Sequence, residues 1–147
     1  MDRKHVNIGA PANRGSVYFN YKKTFSVILL ALVDANYLIM IDVGSFGRSS
    51  DGGIFSYSAL GKRMENGSLN IPPDSCLPGT NIEAPFVIVG DEAFPLKTYL
   101  MRPYRGRQSS GHDFMTYFNN RLSRARRVSE NAFGILVQKF RIFLKDY

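Results

Sequence analysis

The chain holds one cysteine, Cys76, and two histidines, His5 and His112. A single thiol excludes an internal disulfide framework and any cysteine-rich zinc module, and it points to a reducing compartment. Two histidines exclude a multi-histidine metal cage. Any metal would have to sit among carboxylates, which favour hard ions such as Mg²⁺ or Mn²⁺. Long hydrophobic runs are also missing. The longest, residues 27–33, has seven residues before Asp34, far short of the roughly 20 that a membrane-crossing helix needs, so no membrane partner is expected. The opening Met1-Asp-Arg-Lys-His5 is charged and lacks the apolar stretch of a signal peptide. Gly44, Gly47, Gly52 and Gly53 flank Arg48 without the spacing of a phosphate-cradling loop, and nothing fits a Ser-His-Asp or Cys-His arrangement.

What is present is an ordinary globular composition with an excess of positive charge. Apolar residues make up 44% of the 147 and charged residues 21%, which suits one domain with one core and is neither disordered nor fibrous. Lys and Arg total 19 against 12 Asp and Glu, a net charge of +7. That excess points to a polyanionic partner, although a basic surface also serves solubility alone. The charge is uneven. Residues 97–147 carry 11 basic residues against Asp113, Glu130 and Asp146, a net +8, whereas residues 1–96 are net −1.

Hydrophobic patterning predicts strands first. Residues 6–8 read as a short extended piece, 9–15 as a turn-rich loop and 17–21 as a segment of strand composition. Residues 25–33 and 37–43 are two long apolar strands joined by Asp34-Ala-Asn36, so they pair antiparallel, and their continuous apolarity suggests burial on both faces. Ser50 or Asp51 caps a helix reaching about Asn66. Residues 67–85 hold four of the seven prolines and read as an irregular surface excursion. A short buried strand ends at Asp91, Pro95 opens a helix through Met101, and residues 102–111 form a basic loop. From Asp113 a long helix carries apolar residues at Phe114, Tyr117, Phe118, Leu122, Ala125, Val128, Ala132, Phe133, Leu136 and Phe140, with Arg121, Arg124, Arg127 and Glu130 largely off that stripe. No internal repeat or linker divides the chain, which predicts one α/β domain.

Among the acids, Asp91 stands at the C-terminal end of an apolar strand, where open α/β sheets place ligands; a turn or cap role explains it equally. Glu130 has Arg126 and Arg127 within one helical turn, either as a surface pair or as part of an arginine cluster that handles phosphate. Asp34 is explained by its turn and Asp51 by its cap, while Asp42 lies within a strand. Carboxylates at strand ends together with a glutamate on a late helix suggest two-metal phosphoryl transfer, in which two hard ions activate a water and stabilise the leaving oxygen.

Blocks along the whole chain resemble one family: Asp2-Arg-Lys-His5, Tyr18-Phe-Asn-Tyr-Lys22, Asp42-Val-Gly44, Gly47-Arg48 through Ser50-Asp-Gly-Gly-Ile-Phe55, Val89-Gly-Asp-Glu-Ala-Phe-Pro-Leu96, Met101-Arg-Pro-Tyr104 and Asn119-Asn-Arg-Leu-Ser-Arg-Ala-Arg-Arg-Val-Ser-Glu-Asn-Ala-Phe-Gly134. They are similar to the harbinger transposase-derived nucleases, the DDE superfamily endonuclease domain of the PIF/Harbinger group. The resemblance implies a ribonuclease H-like mixed sheet over residues 1–147: three antiparallel strands, then a strand reached by a helical crossover, flanked by helices. It implies a catalytic and metal-binding triad of Asp2, Asp91 and Glu130 with Mg²⁺ or Mn²⁺. It implies DNA as the partner, with Arg126 orienting Glu130 or the scissile phosphate, and Arg121, Arg124, Arg127 and the arginines of residues 102–107 along the DNA backbone. Asp51 aligns with another acid typical of the family, with no metal contact assigned.

Two departures stand out. Arg3 replaces the glycine that normally follows the first aspartate, and the family's first half-strand and its helix-turn-helix region precede the point where this chain begins. The expectation is therefore an N-terminally truncated domain with Asp2 on a frayed strand end, acting in the nucleus or the cytoplasm and relying on a separate DNA-binding protein for its target. Metal-dependent hydrolysis of DNA phosphodiester bonds is the leading reading. A catalytically inactive, domesticated DNA- or protein-binding module on the same fold is the alternative.

Overall fold

The computed structural model describes residues 1–13, 15–106 and 113–144. The apolar run of the first third becomes the middle of a three-stranded antiparallel sheet. It runs in the order β1 (Asp2–Asn7), β2 (Ser26–Val33), β3 (Ile39–Phe46). In β2, Ile28, Leu29, Leu30 and Ala31 are all buried. Successive strand residues face opposite ways, so both faces of β2 are covered. β3 departs from the expected double burial: it is an edge strand, and Met40 is 53% exposed. The β2–β3 turn works as its residues dictate. Asp34 Oδ1 accepts from the backbone N–H groups of Asn36 and Leu38, both at 2.8 Å.

On one side of β2, Ile28 and Leu30 pack with Met1, Ile54, Phe55, Leu60, Met64, Phe94 and Leu100. The expected single helix over residues 50–66 is two, α2 (Asp51–Tyr57) and α3 (Ala59–Glu65). Ser58 breaks it with extended backbone and caps both pieces: its N–H donates to Ile54 O and Phe55 O, and its Oγ accepts from Gly61 N at 2.9 Å. The elbow brings Gly61 so close to Phe55 that a Cβ there would lie 1.9 Å from the Phe55 carbonyl oxygen.

Other short elements also differ from the sequence reading. The strand expected at 17–21 is instead α1 (Gly15–Tyr18) followed by a bridge between Phe19 and Phe25. Within 67–85 a two-residue ladder joins β4 (Ser75–Cys76) to β5 (Glu83–Ala84), and most of the excursion is exposed. β6 (Ile88–Val89) is the strand that ends before Asp91. The helix expected from Pro95 is absent; Leu100–Met101 is a strand, β7, parallel to β6. Reciprocal backbone bonds between Lys97 and Leu100 turn the chain there, and Gly90 N donates to Met101 O at 2.8 Å. Met1 N donates to Val89 O at 2.7 Å, which ties β1 to β6 and carries backbone hydrogen bonding from β3 through to β7.

The long C-terminal helix is α4 (Asp113–Lys139), followed by a 3₁₀ turn at Arg141–Leu144. It packs against β1, β2 and β6 and buries Leu122, Ser129 and Ala132. Its buried face is rotated from the expected apolar stripe: Phe114 and Tyr117 are exposed, while Arg126 and Ser129 turn inward. The result is a mixed α/β arrangement with helices on both faces of its main sheet.

Candidate functional site

Asp2 opens β1 opposite Ala31. Residues paired across antiparallel strands share a face, so Asp2 lies on the side to which β2 turns Leu29 and Ala31, and from which Arg126 of α4 meets it. The strand end is not frayed. Met1 is 2% exposed and the Asp2 side chain 16%. The Asp2 carboxylate accepts from Arg3 N at 2.8 Å, a backbone contact that the arginine supplies as well as a glycine does. Burial pushes the Asp2 carboxyl above its ordinary value. The Arg3 N–H and Arg126 oppose that shift, and the nearby Asp91 charge adds to it.

Asp91 follows β6 directly. Its Oδ1 accepts from Ala93 N at 3.0 Å, and its carbonyl accepts from Phe94 N at 3.3 Å. The turn role of Asp91 is thus in place: one oxygen fixes the turn, and its charge is felt at Asp2. Phe94, fully buried and set edge-to-face against Phe55, anchors this turn in the core. Arg102 straps it from outside, with Nη1 donating to Glu92 O at 3.2 Å and Phe94 O at 3.1 Å. The sequence assigned Arg102 to DNA contact; its strap role depends on a fold that packs β7 beside β6. Arg105 pairs with Glu92 at 3.9 Å. Arg107 lies outside the described residues.

Arg126 does not reach for Glu130. Its Nη2 lies 3.9 Å from Asp2 Oδ2, its side chain is 18% exposed, and its Nε is buried without a hydrogen-bond partner. Glu130 is exposed on α4, one turn beyond. Arg121, Arg124 and Arg127 are exposed as well, with Arg121 Nε donating to Tyr117 Oη at 3.1 Å and its guanidinium 5.4 Å from that ring. The side chains of Asp42 and Asp51 lie outside the described residues; Ser50, not Asp51, caps α2.

Among the described residues no three His, Cys, Asp or Glu side chains stand close enough to share a metal ion. Asp2 and Asp91 are hard oxygen donors near enough for the Asp91 charge to add to the rise that burial imposes on the Asp2 carboxyl. Carboxylate oxygens are donors that suit a hard divalent cation such as Mg²⁺ or Mn²⁺.

The whole chain, residues 1–147, matches the DDE superfamily endonuclease family. It is also 31% identical over 146 residues to "Protein ALP1-like" of Arabidopsis thaliana, a match covering 97% of this chain and 35% of that protein, so the chain spans about a third of that curated relative. No solved structure matches it. An aspartate on the first strand and another just past β6, with an arginine-rich helix packed against both strands, accompany that match over residues 1–147: the chain belongs to the DDE superfamily endonuclease family.

Proposed function

We propose that this chain is a transposase-derived domain with a ribonuclease H-like sheet that hydrolyses DNA phosphodiester bonds using Mg²⁺ or Mn²⁺. The observation that carries the proposal is the placement of Asp2 at the start of β1 and Asp91 just past β6, two strands joined there by the Met1 N–Val89 O bond, with the Asp91 charge felt at Asp2. The strand sequence β3-β2-β1, extended through Met1 N to the parallel β6–β7 pair, supports the fold. Asp2 and Asp91 would hold the cation, and Glu130, exposed on the helix packed against β1 and β6, would have to turn toward them to add the third carboxylate. When bound, the ion lowers the pKa of a coordinated water and neutralises charge on the scissile phosphate. Arg126 offsets the Asp2 charge from 3.9 Å. Arg121, Arg124 and Arg127 follow the DNA backbone. The site of action is the nucleus.

Asp91→Asn tests the assignment. Asparagine keeps an Oδ1 acceptor for Ala93 N, so the turn survives while the charge is lost. Mg²⁺-dependent cleavage of plasmid DNA should disappear with the unfolding temperature nearly unchanged; unaltered cleavage sinks the assignment. The exposed position of Glu130 favours a second reading, a domesticated binding module that retains the fold without turnover. A wild-type chain that binds DNA but never cuts it under Mg²⁺ or Mn²⁺ would support that reading.

A further inference from the structure

A second cluster stands apart from Asp2 and Asp91. An open cavity of about 350 Å³ lies among Gly15, Ser16, Phe19, Phe25 and Arg48, at the small end of the ~300–1,000 Å³ typical of ligand sites. Two phenyl rings, Phe19 and Phe25, line it with centroids 5.3 Å apart and planes tilted by 60°. Among the described residues, the charged one of the lining is Arg48, which is exposed. Nothing in the chemistry proposed for Asp2 uses these residues.

The frame of the cavity is preset by a buried amide. Phe19 and Phe25 face each other across a backbone bridge, and the turn between them is pinned by Asn20, which is 4% exposed. Asn20 Nδ2 donates to Ser26 Oγ at 2.8 Å and to Thr24 Oγ1 at 2.9 Å. Its Oδ1 accepts from Lys22 N at 2.9 Å and Thr24 N at 3.2 Å. A buried amide with its donors and acceptor all engaged holds one loop shape. The same turn carries Lys22 and Lys23, both exposed, and Tyr21, 74% exposed, with the Lys22 ammonium 5.8 Å from its ring centroid.

We propose that this cavity is a subsite for an unpaired nucleobase of the DNA strand, an inference that rests on the DNA reading above. Aromatic walls stack any base, because every base presents a π-face, and neighbouring cations take the flanking phosphates. Arg48, Lys22 and Lys23 are those cations, in the part of the chain whose net charge conceals them. The placement fits a shared strand. Phe25 pairs beyond the end of β2, with Ile8 N donating to its carbonyl at 2.9 Å, and continues the alternation Val27, Leu29, Ala31. Asp2, opposite Ala31, shares that face. At roughly 3.3 Å per residue the six steps from Phe25 to Ala31 put the cavity roughly 20 Å along the sheet from Asp2, a few nucleotides away.

The test uses the whole chain and a single-stranded oligonucleotide carrying 2-aminopurine, whose fluorescence falls on stacking. Binding should quench it. Phe19→Ala removes one wall. Gly15→Leu fills the space, since a Cβ at Gly15 already lies 3.2 Å from Phe25 Cε1. Each should abolish the quench and weaken single-strand binding about tenfold, with circular dichroism showing a folded chain. Asp91→Asn should keep the quench while losing cleavage, which separates the two sites. Binding without quenching by the parent chain, or quenching unchanged in both cavity variants, overturns the subsite and leaves the nuclease reading standing. Absence of any DNA binding overturns both.

Discussion

Arg126 Nη2 lies 3.9 Å from Asp2 Oδ2, and both side chains are largely withdrawn from water, at 18% and 16% exposure. The separation is long for a charge-assisted hydrogen bond, and Arg126 Nε has no partner. The guanidinium thus acts on Asp2 through its field: it lowers a carboxyl pKa that burial and Asp91 raise. Arg126→Gln should therefore move the Asp2 pKa further up, as followed by carboxyl ¹³C chemical shifts against pH. Loss of such a partly buried pair should cost about 1–2 kcal/mol, between the values for exposed and fully buried pairs. An Asp2 titration that stays in place would remove Arg126 from the site.

The legible parts of the molecule are those fixed by local chemistry. The β2 run, the Asp34 turn and Asp91 at a strand end each declare themselves within a few residues, because an apolar stretch or one carboxylate settles the conformation. The strand-like segment 17–21 misleads because its fate is decided by Asn20, whose amide bonds to Thr24 and Ser26. β7 is invisible in sequence: two residues gain strand form from a non-local parallel partner. The inward turn of Arg126 is hidden for a related reason. Helical periodicity counts apolar side chains, and a guanidinium enters the buried face only because a carboxylate waits there on another element. The break at Ser58 is not legible in sequence, because it goes with the close approach of Gly61 to Phe55.

A pH dependence follows from groups that shift in opposite senses. His5 Nδ1 lies 2.8 Å from Ser26 Oγ, and Nε2 is buried without a partner. Burial, with help from Arg3 and Lys22, holds the His5 pKa below its ordinary 6.5. The folded chain therefore binds this proton less readily than the unfolded chain. Stability from neutral His5 is present above pH 6.5 and is lost as pH falls through the depressed value. Asp2 works the other way: its raised pKa favours the folded state at low pH, and that contribution fades as pH rises through the raised value from the ordinary 3.8. Burial also lowers the Met1 ammonium from 8.0 to about 6, in the same sense as His5, so the unfolding temperature should fall as pH drops from about 8 to about 6 and flatten lower down. In His5→Gln the first decline should shrink; an unchanged slope assigns it elsewhere.

The arginines of α4 divide into two kinds by exposure, and salt should tell them apart. Each phosphate neutralised on duplex DNA contributes about 0.9 to the slope of log K against log salt. Arg124 and Arg127 are exposed and available for such contacts, whereas Arg126 is engaged at Asp2. Arg124→Gln should lower the magnitude of that slope by about 0.9 in fluorescence-anisotropy titrations. Arg126→Gln should change it less. Equal losses from both would mean that Arg126 tracks the backbone after all.

Two glycine-to-alanine changes should have opposite signs. At Gly61 the new methyl would meet Phe55 O at 1.9 Å and Phe55 C at 2.8 Å. These are backbone atoms of the preceding helix and cannot rotate away. Relief requires the α2–α3 elbow to open, which pulls Phe55 and Leu60 from the core they share with Phe94. A cost of about 3 kcal/mol is expected, at the upper end for overpacking, or a fall of roughly 6–12 °C in unfolding temperature for a chain of this size. Gly134 lies in α4, and a Cβ there meets nothing within 4 Å. Alanine at this exposed helical position removes backbone freedom from the unfolded chain at no steric cost and should stabilise by about 0.8–1 kcal/mol. Differential scanning calorimetry of both variants reads the contrast directly. A tolerated Gly61→Ala would show that the two helices are not joined as described, and a destabilising Gly134→Ala would show that another surface packs against that face of α4.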